Sequence, residues 1–260
     1  MKKGLLITTV ISAVLMLAAC SKSTVTITSA ADLAGKKIGV QAGTTGESWV
    51  QNNVEDVKLS SFKSGIDAVL DLKNGTIDAV VIDELPAKEM VARNPDLKII
   101  RDQIFTDNKE EYAIAVKKGN TELLDSINAT IATIKSNGEY EKLVAAFMPV
   151  DGTIVVPENL ALTGSGVLKL GTNAAFPPFE YVDGKDIVGF DITMGQMIAK
   201  DYGKKIEVVD MAFDSLIPAL QSGTIDFIAA GMSVDEERKK NVDFSDAYFA
   251  SEQVIIVKAN

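Results

Sequence analysis

Short β-branched and apolar runs alternate along this chain with stretches whose apolar positions recur every three or four residues. The runs at 36–41, 58–62, 78–82, 97–100, 112–116, 168–172, 205–209, 226–229 and 252–257 read as strands. The stretches at 64–74, 85–94, 121–136, 139–147, 190–202 and 213–222 read as helices, and Gly75, Gly138, Gly203 and Gly223 stand where helix C-caps would end four of those patterns. Regular alternation of the two periods predicts an α/β protein with largely parallel sheets.

One stretch of this pattern occurs twice. Leu72-Lys73-Asn74-Gly75-Thr76-Ile77-Asp78 is echoed by Leu220-Gln221-Ser222-Gly223-Thr224-Ile225-Asp226, each a helix end, a glycine and the start of a new strand. The echo predicts two lobes built around a similar unit.

Composition narrows the chemistry. The chain begins with a short cationic start (Lys2, Lys3), an uncharged apolar stretch from Gly4 to Ala19 and the sequence Leu17-Ala18-Ala19-Cys20, a pattern that predicts a secretory signal over 1–20. Cys20 is the only cysteine of the 260 residues and stands where a bacterial lipobox requires one, so it is the expected lipidation site and membrane anchor, and no disulfide forms within a monomer. Beyond Cys20 no run is apolar for long enough to cross a membrane, which predicts an extracytoplasmic, surface-anchored protein. Loss of Lys2 and Lys3 with the signal takes the formal charge from −10 to −12, which repels nucleic acid and argues against it as a partner. Histidine is absent altogether, so Ser-His-Asp and Cys-His nucleophiles, histidine general bases and the usual zinc sites are excluded by inventory, and no metal or cofactor is expected.

Four segments carry a resemblance: GTNAAFPPFEYVDGKDIVGFDI (171–192), FDSLIPALQSGTIDFIAAGMSVDEERKKNVDFSDAYF (213–249), KKIGVQAGTTGES (36–48) and GTIDAVVIDELPAK (75–88). Together they resemble the type II periplasmic, or extracytoplasmic, solute-binding proteins of bacterial family 3 that feed polar amino acids to ABC importers. Gly171–Val257 is similar to the first half of that family yet follows Thr24–Met148, which is similar to its second half, so the order resembles a circular permutation. The resemblance implies a two-lobe periplasmic-binding-protein-like type II fold, each lobe a mostly parallel sheet flanked by helices. It places the family's second lobe at 24–110 and its first lobe at 111–255, with a permutation linker at 149–166. Hinge strands are implied at Glu111–Lys117 and Ser251–Lys258, the latter within a truncated segment 251–260. A monomer that binds a polar L-amino acid and presents it to a membrane ABC permease, without catalysis, is the implied function.

An amino acid brings a carboxylate, an ammonium and a side chain, and a cleft that desolvates them must supply a partner for each. For the carboxylate the resemblance implies Arg238, with Gly231 and Ser233 before it in the same turn; a guanidinium fork holds a carboxylate through two parallel hydrogen bonds. An ordinary solvated helix with i,i+3 charge pairs is the plain alternative for this segment. Gln41-Ala42-Gly43-Thr44-Thr45-Gly46 follows a strand and opens a helix, so Thr44 and Thr45 are placed on the same carboxylate, or serve as a simple N-cap. Asp83, at the end of the strand Asp78–Ile82, is implied for the ammonium, with an N-cap of the following helix as its alternative. Phe176 and Phe213 match positions that flank the ligand, and Asn173, Glu180 and Gln41 are polar candidates for its distal group. Asn173 stands where many glutamine and basic amino-acid binders carry aspartate, and Ile82 where some glutamine binders carry histidine, which leaves the amino acid open. Trp49 and Tyr248 read as packing residues. A rival reading is a dehydratase-type enzyme on the same fold with Glu180 as general acid; a ligand-sensing domain is a third.

Overall fold

The structure, a computed structural model, describes residues 26–150 and 153–259. The signal 1–20 and Cys20 lie outside the described residues. In chain order the elements are β1 (Lys37–Gln41), α1 (Thr45–Asn53), β2 (Lys58–Phe62), α2 (Gly65–Asn74), β3 (Ala79–Asp83), α3 (Glu84–Ala92), β4 (Leu97–Ile100), α4 (Gln103–Thr106), β5 (Glu110–Tyr112), β6 (Ala115–Lys117), α5 (Thr121–Ser136) and α6 (Glu139–Phe147). They continue with β7 (Val167–Thr172), β8 (Ala175–Phe176), β9 (Glu180–Asp183), β10 (Asp186–Val188), α7 (Phe190–Asp201), β11 (Lys205–Asp210), α8 (Leu216–Ser222), β12 (Phe227–Ile228), α9 (Glu236–Lys239), β13 (Val242–Phe244), β14 (Phe249–Ser251) and β15 (Gln253–Lys258).

Two five-stranded sheets share one plan. The first runs β2-β1-β3-β15-β4 and the second β11-β7-β12-β6-β13. In each, three strands lie parallel and the fourth enters antiparallel to both of its neighbours. That fourth strand comes from the far half of the chain in both sheets: with the lobes numbered by the order of their sheets, so that the first holds β1–β4 and the second β6–β13, β15 follows the elements of the second lobe and β6 those of the first. The two chain passages between lobes, β5 and β14, pair with each other antiparallel through Tyr112–Phe249, Glu111–Ala250 and Glu110–Ser251. The sequence expected largely parallel sheets with 251–258 as a hinge strand. The structure divides that segment: Phe249–Ser251 lies in the passage and Gln253–Lys258 is an interior strand of the first sheet.

Burial explains why these strands read as continuous apolar runs. Successive strand side chains point to opposite faces, and in β3 Ala79 and Val81 enter one apolar cluster while Val80 and Ile82 enter another. β15 does the same with Ile255 and Val257 against Val254 and Ile256. A sheet covered by helices on both faces has no polar face to alternate with.

The repeated LxxGTID unit occupies the same place in both lobes. Gly75 and Gly223 end α2 and α8 at φ 76° and 77°. Asp78 accepts from the backbone N–H of Lys37 at 2.9 Å, and Asp226 accepts from that of Lys169 at 2.7 Å. Each aspartate thereby ties the incoming strand to its parallel neighbour.

The segment after α6 crosses the second lobe without regular structure. Val155 N–H donates to Ala146, Leu160 N–H donates to the Gln196 side chain, and Ile154, Val156 and Leu162 pack against the core. The hairpin β8–β9–β10, which the periodicity did not reveal, lies beside the mouth between the lobes. Among the described residues no helix is long and apolar enough to cross a membrane.

Candidate functional site

Residues from both lobes line one narrow pocket: Gln41, Thr44, Thr45 and Asp83 from the first, with Asn173, Phe176, Glu180, Phe213, Ala230, Gly231, Ser233 and Arg238 from the second. Every residue that the sequence singled out for a ligand is therefore brought to one place. They arrive from strand ends and the turns that follow them, where α/β sheets leave a crevice open.

Arg238 enters from α9 and is 8% exposed. Asp235 caps the helix by accepting from Arg238 N–H at 2.7 Å, and its other oxygen lies 3.2 Å from Arg238 Nε. Nη1 donates to the Ser233 carbonyl at 2.6 Å and Nη2 crosses the cleft to the Gly43 carbonyl at 2.9 Å, while the guanidinium carbon lies 5.3 Å from the Phe213 ring centre. The i,i+3 pair exists, but the side chain is buried against the cavity and not solvated. Burial disfavours its charge, and Asp235 and then Glu110 oppose that effect.

Asp83 forms the opposite pole. It stands at the N-cap position of α3 yet makes no side-chain capping bond. Its Oδ1 instead accepts from Tyr112 Oη at 2.6 Å and Ser251 Oγ at 3.2 Å, hydroxyls supplied by the two passages between the lobes. Burial, reinforced by the neighbouring Glu110 charge, pushes its carboxyl up to about 7.

The turn before α1 keeps part of the simpler role. Thr44 Oγ1 accepts from Glu47 N–H at 3.2 Å and donates to the Gln41 carbonyl at 2.8 Å, so Thr44 is the N-cap of α1 as well as a lining residue. Thr45 Oγ1 donates to Glu110 at 2.7 Å. Gly43 has φ 77°, and a Cβ there would lie 3.0 Å from Asp214 of the other lobe, so only glycine lets the lobes approach this closely. Gly231 plays the same part within its lobe: at φ 52°, a Cβ would meet the Phe176 ring at 2.7 Å.

At the distal end, Gln41 Nε2 donates to Asn173 Oδ1 at 2.8 Å across the cleft, and Asn173 Nδ2 donates to the Met211 carbonyl at 2.8 Å. Glu180 lies beside them, fully buried, with neither carboxyl oxygen bonded to a donor. Asp191 sits behind it and accepts from Gly231 N–H at 2.8 Å and Tyr248 Oη at 2.7 Å. Burial, then the Asp191 charge, holds Glu180 well above the usual carboxylate range, and burial raises Asp191 to about 6. A protonated Glu180 that shares its proton with Asp191 satisfies oxygens otherwise left bare.

Sequence reasoning did not find Glu110, Tyr112 and Ser251, which stand behind the lining residues on the passages, or Gln253 at the start of β15. Glu110 lies in a run of charges that reads as solvated surface, and only the pairing of β5 with β14 sets it beside residues far away in sequence. Trp49 packs edge-on against Phe105, as expected of a packing residue. Tyr248 is buried and also bonds Asp191.

Comparison with known proteins finds similar sequences. Residues 168–260 match the sequence profile of the bacterial extracellular solute-binding proteins, family 3. The arginine-binding extracellular protein ArtP of Bacillus subtilis is 47% identical over 96 residues, which is 37% of this chain and 38% of ArtP. The L-cystine-binding protein TcyJ of Escherichia coli K12 is 34% identical over 128 residues, 49% of this chain and 47% of TcyJ. The chain thus spans less than half the length of these relatives. Among solved structures, the arginine-bound form of domain 1 from TmArgBP matches at 46% identity over 36% of this chain and 80% of that one, with a TM-score of 0.33. These matches make residues 168–260 of the chain similar in sequence to the bacterial extracellular solute-binding proteins, family 3.

Proposed function

We propose that the protein binds one polar L-amino acid between its lobes, outside the cytoplasm, and delivers it to a membrane ABC permease. The observation that carries this reading is a pair of buried, opposite charges facing one cavity from different lobes, Asp83 and Arg238. A zwitterion meets both poles at once, and a ligand lacking either charge forgoes one of them. Arg238 takes the carboxylate, with the backbone of the turn at Thr44 and Thr45 and the backbone at Gly231 and Ser233 beside it. Asp83 takes the ammonium. Phe176 and Phe213 flank the side chain, and Gln41, Asn173 and Glu180 read its far end. The named relatives bind arginine and L-cystine, which supports a polar amino acid as the ligand.

We read the order of the two segments as a circular permutation, with lobes at 24–110 and 111–255, a linker at 149–166 and the passages as the hinge. The protein acts as a monomer held at the outer face by acyl groups on Cys20. Cys20→Ala should release it from the membrane fraction, and a variant that stays fully membrane-bound would favour an uncleaved signal anchor.

Thermal-shift screening against the twenty amino acids and ornithine tests the main proposal. A ligand that binds only the folded protein raises its midpoint, by more the further its concentration exceeds Kd, so one or a few polar amino acids should shift it clearly, and no shift with any of them at millimolar concentration sinks the reading. The protonated Glu180 favours a second reading, carboxylate-dependent elimination. Turnover of a prephenate-like substrate that disappears in Glu180→Gln would establish it.

A further inference from the structure

Glu110 does not line the cavity, yet its carboxylate meets two side chains that do. Thr45 Oγ1 donates to Glu110 Oε2 at 2.7 Å, and Ser233 Oγ donates to the same oxygen. Gln253 Nε2 donates to Oε1 at 3.3 Å and lies 3.5 Å from Thr45 Oγ1. Glu110 sits on β5, Thr45 belongs to the first lobe and Ser233 to the second, so one carboxylate reaches both walls from the passage between them.

A hydroxyl has one proton to donate and two lone pairs to accept with. Once Thr45 and Ser233 have given their protons to Glu110, they can show the cavity only lone pairs. The nearby carboxyl of Asp83 is a further acceptor when ionised. This wall therefore suits a donor or a cation and repels a carboxylate. Ser233 is divided between two partners: its carbonyl accepts from Arg238 at 2.6 Å and its hydroxyl turns to Glu110. The carboxylate is left to Arg238 and to backbone N–H groups. The expectation that the Thr45 hydroxyl grips the ligand carboxylate conflicts with this count of protons.

We infer that Glu110 is a positioning residue for ligand polarity: by taking the hydroxyl protons of Thr45 and Ser233 it turns their lone pairs into the cavity and, with Asp83, makes that wall the receptor for the ligand's ammonium. This rests on the amino-acid reading of the site and assigns a role to a residue that never touches the ligand. A hydroxyl freed from Glu110 can rotate its proton into the cavity, which opposes an ammonium and tolerates a carboxylate. Loss of Glu110 should therefore penalise the amine of a ligand selectively.

The test compares L-arginine with 5-guanidinopentanoate, L-glutamine with glutaramate, and L-histidine with 3-(imidazol-4-yl)propanoate, each pair differing only in the α-amino group, on wild type, Glu110→Ala and Glu110→Gln by calorimetry. Glu110→Ala should weaken the bound amino acid roughly tenfold or more and its des-amino partner less than about threefold, since a hydrogen bond involving a charged group contributes about that much. Glu110→Gln, which keeps an acceptor oxygen without the charge, should fall between wild type and Glu110→Ala, and it serves as the readout if Glu110→Ala does not fold. Equal weakening of both members of a pair, or none, overturns the inference while leaving amino-acid binding intact. A wild type that binds no amino acid in the wider screen overturns the binding reading and this inference with it. Where a des-amino acid binds too weakly to measure, a cycle with Ser233→Ala and Thr45→Val decides: Glu110→Ala should cost little once both hydroxyls are gone, and fully additive losses overturn the assignment.

Discussion

Arg238 shows how much of a site depends on a single side chain. Its guanidinium is buried, holds the Ser233 turn through one nitrogen and reaches Gly43 of the other lobe through another. Truncating one partner of a buried charged pair costs about 2–5 kcal/mol, so Arg238→Ala should weaken amino-acid binding by at least about 30-fold. Calorimetry that finds the variant within threefold of wild type would remove Arg238 from the carboxylate role. Asp83 makes a prediction about pH. Its carboxyl, pushed up to about 7 by burial, is largely protonated in the empty protein below neutrality, whereas an ammonium needs it ionised. Affinity should therefore fall as pH drops below about 7, approaching tenfold per unit, and Asp83→Asn should bind weakly with a flat profile. The same group acts on stability with the opposite sign. Folded Asp83 and Asp191, at about 7 and about 6, hold protons that the unfolded chain has already lost above about 4. The ligand-free protein should thus lose stability as pH rises from about 4 to 7, and a melting series should show that slope reduced in Asp83→Asn. Arg238, Asp83, Asn173 and the two phenylalanines were singled out because each sits in one of the segments that carry the family resemblance, and all five line the pocket. Glu110, Tyr112 and Ser251 were not, because their importance arises only where two distant passages pair.

Elements were read best where an apolar period or a β-branched run is long enough to show itself. The stretch 121–136 forms a helix with the bounds its apolar spacing gave, and 58–62 and 97–100 are strands as expected. The hairpin β8–β10 and the short α4 and α9 escaped because elements of two to four residues cannot display a period, and tertiary contact holds them in place. β15 was recognised as a strand but underestimated as an element. Hydrogen bonds to β3 on one side and β4 on the other, together with burial of Val254, Ile255, Ile256 and Val257, make it part of the core. Ile256→Ala should accordingly destabilise the protein by about 2–5 kcal/mol, the range for emptying a buried aliphatic site, in urea denaturation. Deleting Ile256–Asn260 should collapse the first sheet. A deletion variant that melts like wild type would show β15 to be dispensable.

At the scale of the whole molecule, the two lobes meet through hydrogen bonds that close the cleft in this structure: Gln41 to Asn173, Arg238 to Gly43, and the Glu110 contacts to both walls. Each is a polar contact that water can replace when the lobes part, so a ligand gripped by both sides should tip the balance toward closure. Solution scattering should show a smaller radius of gyration when the ligand identified by thermal shift is added, and no change would mean that the closed form already predominates. We propose that the antiparallel pair β5–β14 bears this motion, because there both chain passages run side by side. Sequence revealed the two lobes through the repeated LxxGTID unit. It did not reveal that each sheet borrows its fourth strand through the passage, since a strand carries no mark of the sheet it will join.

That borrowing also sets an order in time. All five strands of the second sheet lie between Ala115 and Phe244, so it can assemble from one uninterrupted stretch of chain. The first sheet has four strands in place by Ile100 and then waits for Gln253–Lys258 to fill the gap between β3 and β4. Contacts across so long a loop form late. Until β15 arrives, the edges of β3 and β4 remain open to another chain, which is the hazard of an unpaired strand. Refolding at high protein concentration should therefore lose yield at the step that completes the first sheet. Pulse-labelling hydrogen exchange should find β7 and β12 protected before β3 and β4.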